Sequence, residues 1–434
     1  MSSINPPSLA QELLAIHGGE AVITTPFPRY NSLGEEEQQA VAEVMKTGVL
    51  SQFLGCWHQD FYGGEQVRAF EQECAEFFQV KHAITVNSWT SGLIAAVGAI
   101  GIEPGDEVIV SPWTMCASAT AILHWNAIPV FADIDQRTFN LCPQSVRKNI
   151  TEKTRAIMAV DIFGQSADML ELQKIADEFN LKIISDTAQA PGARYQEKFA
   201  GTLADIGGYS LNYHKHIHTG EGGVVVTNDD ELAEKVRLIR NHAEAVLADR
   251  DDVPLTNMIG YNFRLGELEC AIGRQQLQKL PGVVETRQQL AARLTEGLNG
   301  LTGLTLPYVQ PLATHVYYIY PMIVDHEQLP VTRQQIAEAL IAEGVEVATR
   351  YQNLHLLPMF QKKTAYGTSG FPWSADFARQ DVCYDKGICP VAEELNEHSY
   401  LGFGLCVYEL TEADIDLIVK AFHKVWKAMV IDDV

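Results

Sequence analysis

The sequence predicts an α/β protein: a large domain with a mainly parallel sheet sandwiched by helices, then a smaller C-terminal α+β domain. Three observations point there. From about residue 65 to 280, short apolar runs alternate with segments of helical periodicity. After about residue 280 that rhythm changes. Neither part contains an internal repeat or a low-complexity tract.

Taken in order, "QVRAFEQECAEFF" reads as an amphipathic helix and "HAITV" as the first buried strand. "DEVIVS", "AIPVF" and "RAIMAV" read as further strands, and "ADMLELQKIADEF" as a helix. "LKIIS" and "GGVVVT" are strands again, and "DELAEKVRLIRNH" a helix. Such alternation implies a sheet covered on both faces, with ligands beyond the carboxyl ends of the strands. "VETRQQLAARLTEGL" reads as a long helix leading away from the sheet. "HVYYIYPMIV", "RQQIAEALIAEG" and "TEADIDLIVKAFHKVW" then form the smaller domain. The expected division is 1–285, carrying an N-terminal arm and the site, and 286–434.

The chain of 434 residues is long enough for two domains, and its 47% hydrophobic content is ordinary for a globular enzyme. A formal net charge of −23 disfavours nucleic acid and anionic membranes as partners. The eight cysteines make no C-x-x-C pair, which fits a reducing cytosol. "MSSINPPSLAQELL" lacks the pattern of a secretory leader, and no stretch approaches the roughly 18 apolar residues of a membrane span. The expected location is therefore cytoplasmic. Neither G-x-G-x-x-G nor G-x-x-x-x-G-K-[ST] occurs, so a dinucleotide site or a P-loop has no support.

Three segments carry chemistry. Asp186 ends the strand "LKIIS", where an acid can bind a metal, cap a helix or pair with a cationic ring nitrogen. "VNSWTSGL" follows "HAITV" and opens a helix, placing Ser88, Thr90, Ser91 and backbone N–H groups where a phosphate binds; a plain Ser/Thr cap is the alternative. "YSLNYHKHIHTGEGG" presents Lys215 five residues after Ser210 and just before a glycine-rich turn. A lysine so placed can form a Schiff base with an aldehyde, or can be a solvated surface residue. Together the three describe a ligand with a phosphate, an aldehyde and a pyridinium nitrogen. Pyridoxal 5'-phosphate has all three, with an ionised Asp keeping the ring protonated. His214, His216 and His218 alternate along the chain, a spacing open to metal ligation or, with more support, to a sugar pocket lined by imidazoles.

The sequence resembles the DegT/DnrJ/EryC1/StrS family of sugar aminotransferases, fold-type I enzymes that use pyridoxal phosphate. The likeness spans roughly residues 25 to 425 and includes "GDEVIVSPWTMCASATAILHWNAIPVFADID", "SDTAQAPGA", "YSLNYHKHIHTGEGGVVVTND", "IGYNFRLGELECAIGRQQL" and "YQNLHLLPMF". The resemblance implies Lys215 as the Schiff-base lysine, Asp186 at the ring nitrogen and Gln189 near the ring hydroxyl. It implies Thr90, Ser91 and Ser210 in the phosphate cup, and Asn262 reaching the cofactor of a second subunit, hence a homodimer with shared sites. Met115 stands where the family stacks an aromatic on the ring, with Trp113 as a substitute; Trp89 is a bulky departure in the phosphate segment. "SQFLGCWHQDFYGGEQV" is longer than usual and reads as a loop over the mouth of the site.

The implied reaction moves an amino group from a donor, glutamate, through pyridoxamine 5'-phosphate, to a keto- or aldehydo-sugar. His214, His216, His355 and Arg350 are the candidate sugar contacts. The histidine-rich tract resembles a subgroup aminating C8 of a 3-deoxy-octulosonate for lipopolysaccharide. Two alternatives stand beside this reading. One is a dehydratase of the same family, in which His replaces the lysine; the distance from Lys215 to Gly220 argues against that register. The other is a cofactor-free regulatory relative.

Overall fold

The structure is a computed structural model and describes residues 13–250, 252–253 and 255–430. Most of the segment on which the absence of a leader was read, 1–12, lies outside the described residues. The predicted strands form: β1 (His82–Val86), β2 (Glu107–Val110), β3 (Ile128–Phe131), β4 (Thr154–Val160) and β5 (Lys182–Asp186). A small hairpin of β6 (Arg194–Tyr195) and β7 (Lys198–Phe199) precedes β8 (Ile206–Ser210) and β9 (Gly223–Thr227).

The large sheet has seven strands in the order β1-β9-β8-β5-β4-β2-β3. Neighbours from β8 to β3 run parallel, and β9 is antiparallel to both β1 and β8. Side chains leave a strand alternately to opposite faces. Val108 and Val110 accordingly enter one core while Ile109 enters another, and Met158 and Ile157 divide the same way. Both faces are thus buried under helices, which is why these strands read as unbroken apolar runs.

β8, "IGGYS", is the strand the sequence conceals, because two glycines weaken its strand signal. Packing demands them. A Cβ on Gly207 would lie 2.2 Å from the Gly201 carbonyl oxygen. A Cβ on Gly208 would lie 2.3 Å from Cζ3 of Trp89, whose indole fills the space beneath β8. Gly208→Ala is expected to lower stability by about 1–3 kcal/mol. A denaturant midpoint unchanged by that substitution would contradict this placement of Trp89.

The predicted helices also form, at Glu65–Phe78, Met169–Phe179 and Asp230–Arg240. The long helix begins earlier than expected and runs 32 residues, Glu267–Leu298. The expected division at 285/286 falls inside it. Its first half packs on the large sheet through Cys270 and Leu277, and its second half on the smaller domain through Leu290, Leu294 and Leu298. That smaller domain is an antiparallel sheet of β10 (Leu304–Thr305), β11 (Tyr320–Val324), β12 (Val347–Ala348) and β13 (Tyr400–Phe403), ordered β10-β11-β13-β12. Helices Arg333–Ala342 and Glu412–Met429 cover it. The N-terminal arm joins this domain and not the large one: Leu14 and Ile23 are buried in its core. No described helix is long and apolar enough to cross a membrane.

Candidate active site

The carboxyl ends of β1, β5 and β8 place three segments together. Asp186, the last residue of β5, is 4% exposed. Its Oδ1 accepts from Trp89 Nε1 at 2.7 Å and from the Ala188 N–H at 3.2 Å. Its Oδ2 accepts from Ser118 Oγ at 2.6 Å. A carboxylate oxygen can accept about two hydrogen bonds, so Oδ2 keeps an unspent acceptor position. The loop after β5 is pinned from below, because Asp161 accepts from Thr187 Oγ1 at 2.6 Å and from Ser185 Oγ at 3.1 Å.

Lys215 lies in the turn between β8 and β9. It is 8% exposed, and its Nζ makes no hydrogen bond or ion pair within the described residues. The amine sits 4.6 Å from the centre of the Tyr318 ring. Burial pushes its pKa from 10.5 down to about 8, against the opposing charge of Asp186. The Asp186 carboxylate opposes that fall, and the amine still gives up its proton more readily than an ordinary lysine. His214 is exposed and His216 is engaged with the Gln189 carbonyl, so of the three residues only the lysine is buried without a side-chain hydrogen bond among the described residues.

The helix Trp89–Ala99 starts at the end of β1 with Ser88 as its cap. Ser88 Oγ accepts from the Ser91 N–H at 3.1 Å. The N–H groups of Trp89 and Thr90 have no partner among the described residues, and the Thr90 side chain is exposed. These are the free donors of a helix N-terminus. Ser210, ending β8, is buried beside the same turn, and its Oγ accepts from the Asn212 N–H at 3.3 Å.

Comparison with known proteins now decides the family. The profile of the DegT/DnrJ/EryC1/StrS aminotransferase family matches residues 31–386. The chain belongs to the DegT/DnrJ/EryC1/StrS aminotransferase family. It is 35% identical to GDP-perosamine synthase of Caulobacter vibrioides over 363 residues, 83% of this chain and 90% of that protein. It is 33% identical to the spore coat polysaccharide biosynthesis protein SpsC of Bacillus subtilis over 357 residues, 81% of this chain and 89% of that protein. Its fold matches the crystal structure of the aminotransferase from Psychrobacter cryohalolentis with a TM-score of 0.79 and 29% identity, covering 93% of this chain and all of that one. This is the fold-type I architecture, and DegT/DnrJ/EryC1/StrS enzymes are pyridoxal-phosphate-dependent sugar aminotransferases.

Several of the expected site residues are buried or already engaged. His216 has no exposed surface: its ring lies between Arg287 and the Gln189 carbonyl, so it is not a sugar contact. His355 is likewise fully buried, with Nε2 2.9 Å from Glu393 Oε1, so it too offers nothing to a substrate. Trp113 is buried against Phe139 and donates to Asn353 Oδ1 at 2.6 Å, which removes it as a ring-stacking substitute. Met115, 62% exposed, stands one turn before Ser118, the residue that touches Asp186. Ser91 is buried, and its Oγ donates to Asn87 Oδ1 at 2.7 Å, so that hydroxyl is already spent.

Gln189 is also engaged. Its Oε1 accepts from the Phe163 N–H at 2.8 Å, and its Nε2 donates to the Tyr351 hydroxyl at 3.0 Å. Burial pushes Tyr351 up to about 12, so it is a neutral phenol. Arg350, beside Tyr351, is exposed and has no ion-pair partner among the described residues. Asn262 is exposed; its Oδ1 accepts from Arg264 Nε at 2.8 Å, and its carbonyl from Asn87 Nδ2 at 3.3 Å. The 51–63 segment makes its long-range hydrogen bonds to Asn241, the bridge partner of Asn262, and none to the Lys215 turn of the same chain among the described residues.

Trp89, Ser118, Tyr318 and Tyr351 were not predicted as site residues. Trp89 alone left a signal, as a bulky side chain in a run of small ones. The other three lie in segments whose local pattern is ordinary.

Proposed function

We propose that this chain transfers the amino group of glutamate to an oxo-sugar bearing an anionic group, for polysaccharide, lipopolysaccharide or secondary-metabolite sugar synthesis. The observation that carries this reading is the buried Lys215 amine, without a hydrogen-bond partner among the described residues, over the Tyr318 ring and under the charge of Asp186. The residues fit pyridoxal phosphate: an amine free to react, an acid with an unspent acceptor position, and two free N–H groups at a helix start. When bound, that group supplies the aldehyde that takes the donor's nitrogen and the cationic ring that draws electrons from the donor carbon.

The remaining work falls to side chains. Asp186 holds the proton on the ring nitrogen. Trp89 and Ser118 fix the direction of that carboxylate. The Trp89 and Thr90 N–H groups, with Ser210, bind the phosphate. Lys215 binds the cofactor and, once released, carries a proton between donor carbon and cofactor; a pKa of about 8 suits both halves of that transfer. Met115 covers the ring face. Asn262 serves the site of a second subunit in a homodimer.

For the acceptor, His214 is the one exposed residue among the candidate histidine contacts His214, His216 and His355. Exposed Arg350 supports an anion, either a nucleotide diphosphate or the carboxylate of an 8-oxo-3-deoxy-octulosonate. Assay of purified protein with glutamate against both acceptor types tests this. The expected result is 2-oxoglutarate release dependent on one of them. Release with neither, or with neutral oxo-sugars alone, would sink the reading.

A further inference from the structure

His216 has no exposed surface, yet its ring has a partner on each nitrogen. Arg287 Nη1 faces Nδ1, and Nε2 lies 3.3 Å from the Gln189 main-chain oxygen. A guanidinium has donors and no acceptor, so Nδ1 must carry a lone pair. The one ring proton is then on Nε2 and is donated to Gln189. An imidazolium would set N–H against N–H. Burial first, and the Arg287 charge second, hold the His216 pKa well below its ordinary value. Lys215 and His315 also face it and act in the same direction, and the Tyr318 ring lies 6.2 Å away.

Arg287 is 4% exposed and has no carboxylate within ion-pair distance among the described residues. Its other partners are the Cys406 carbonyl at 3.5 Å and the face of Tyr30 at 4.5 Å. Replacing a buried charge by apolar packing is often neutral or stabilising, so stability alone does not account for an arginine here. What it does touch is the lysine turn. The backbone on either side of Lys215 is tied as well: Cys406 Sγ donates to the His214 oxygen at 3.6 Å, and the Tyr30 hydroxyl to the His216 oxygen at 3.2 Å.

We propose that His216, fixed by Arg287 as its Nε2–H tautomer, is a positioning residue that holds the Lys215 turn in register with the Asp186–Gln189 loop. The ring bridges the two segments that must meet across the cofactor. A misplacement of about 1 Å between such groups can cost on the order of a hundredfold in rate. The proposal rests on the reading of Lys215 as the catalytic amine.

The test uses full-length protein and the half-reaction with glutamate, followed by absorbance of the lysine-bound cofactor. His216→Leu should slow the half-reaction by about tenfold or more while glutamate half-saturation moves less than about threefold. It should also shift the pH midpoint of that absorbance. His216→Gln, which keeps an acceptor and a donor, should restore both to within about threefold of the parent. Arg287→Met should match His216→Leu, and the double variant should be no worse than either alone.

Parent-like rate and titration in His216→Leu, or additive losses in the double variant, would overturn the proposal. Histidine nitrogen NMR of the unmodified protein gives a check that needs no folded leucine variant. The resonance lost in His216→Gln should be a neutral ring protonated at Nε2, and a ring protonated at Nδ1 or doubly protonated overturns the assignment. If borohydride fixes no cofactor on Lys215 in the parent, the function reading itself has failed; if it does, these outcomes judge His216 alone.

Discussion

Lys215→Ala is expected to lower kcat by at least about ten-thousandfold, with the fold intact. Two roles vanish together, the covalent hold on the cofactor and the proton transfer at the donor carbon, and general acid–base catalysis alone contributes about 10²–10⁴-fold. Stability should not fall. The Lys215 amine makes no hydrogen bond or ion pair among the described residues, and its lowered pKa shows that burial works against its charge. Alanine removes that opposition. Activity and a thermal midpoint measured on one preparation check both halves. Undiminished turnover would refute the catalytic role, and a collapsed midpoint would show that the lysine supports the fold.

Asp186→Asn should cost about 10²–10³ in kcat, the scale for removing one preorganised electrostatic partner. The amide matches the carboxylate in shape. Its oxygen can still accept from Trp89 and Ala188, and the Ser118 hydroxyl can rotate to accept from the new NH₂. What is lost is the charge. That charge also raises the Lys215 pKa against burial, so in the Asn variant the amine should titrate below about 8. The pH dependence of amine labelling in cofactor-free protein reads this directly. A variant with parent-like kcat would remove Asp186 from the chemistry.

Much of the large domain was legible because a sheet buried on both faces leaves strands as bare apolar runs. β1 coincides with "HAITV", and β5 with "LKIIS" shifted by one residue. β8 was not legible, since Gly207 and Gly208 answer to Gly201 and Trp89, contacts that no local window shows. The N-terminal arm was assigned to the wrong domain for a related reason: Leu14 and Ile23 follow the core they reach, not their place in the chain.

Within the candidate site, the placement of Asp186 and Ser210 at strand ends and of Lys215 in a turn was legible because each position is marked by glycine or small residues. The histidines misled. Alternation placed His214, His216 and His218 on one face only if the segment were extended, and it is a turn. His355 pairs with Glu393, 38 residues on, and becomes a core residue. Arg287 reaches His216 from 71 positions away along the long helix, a distance at which periodicity carries no information.

The most direct test of the account loads the purified protein with pyridoxal phosphate, reduces it with borohydride and maps the modified peptide by mass spectrometry. The account predicts one adduct, on Lys215. An adduct confined to another lysine, or cofactor recovered only in its amine form with no lysine modified, would contradict it.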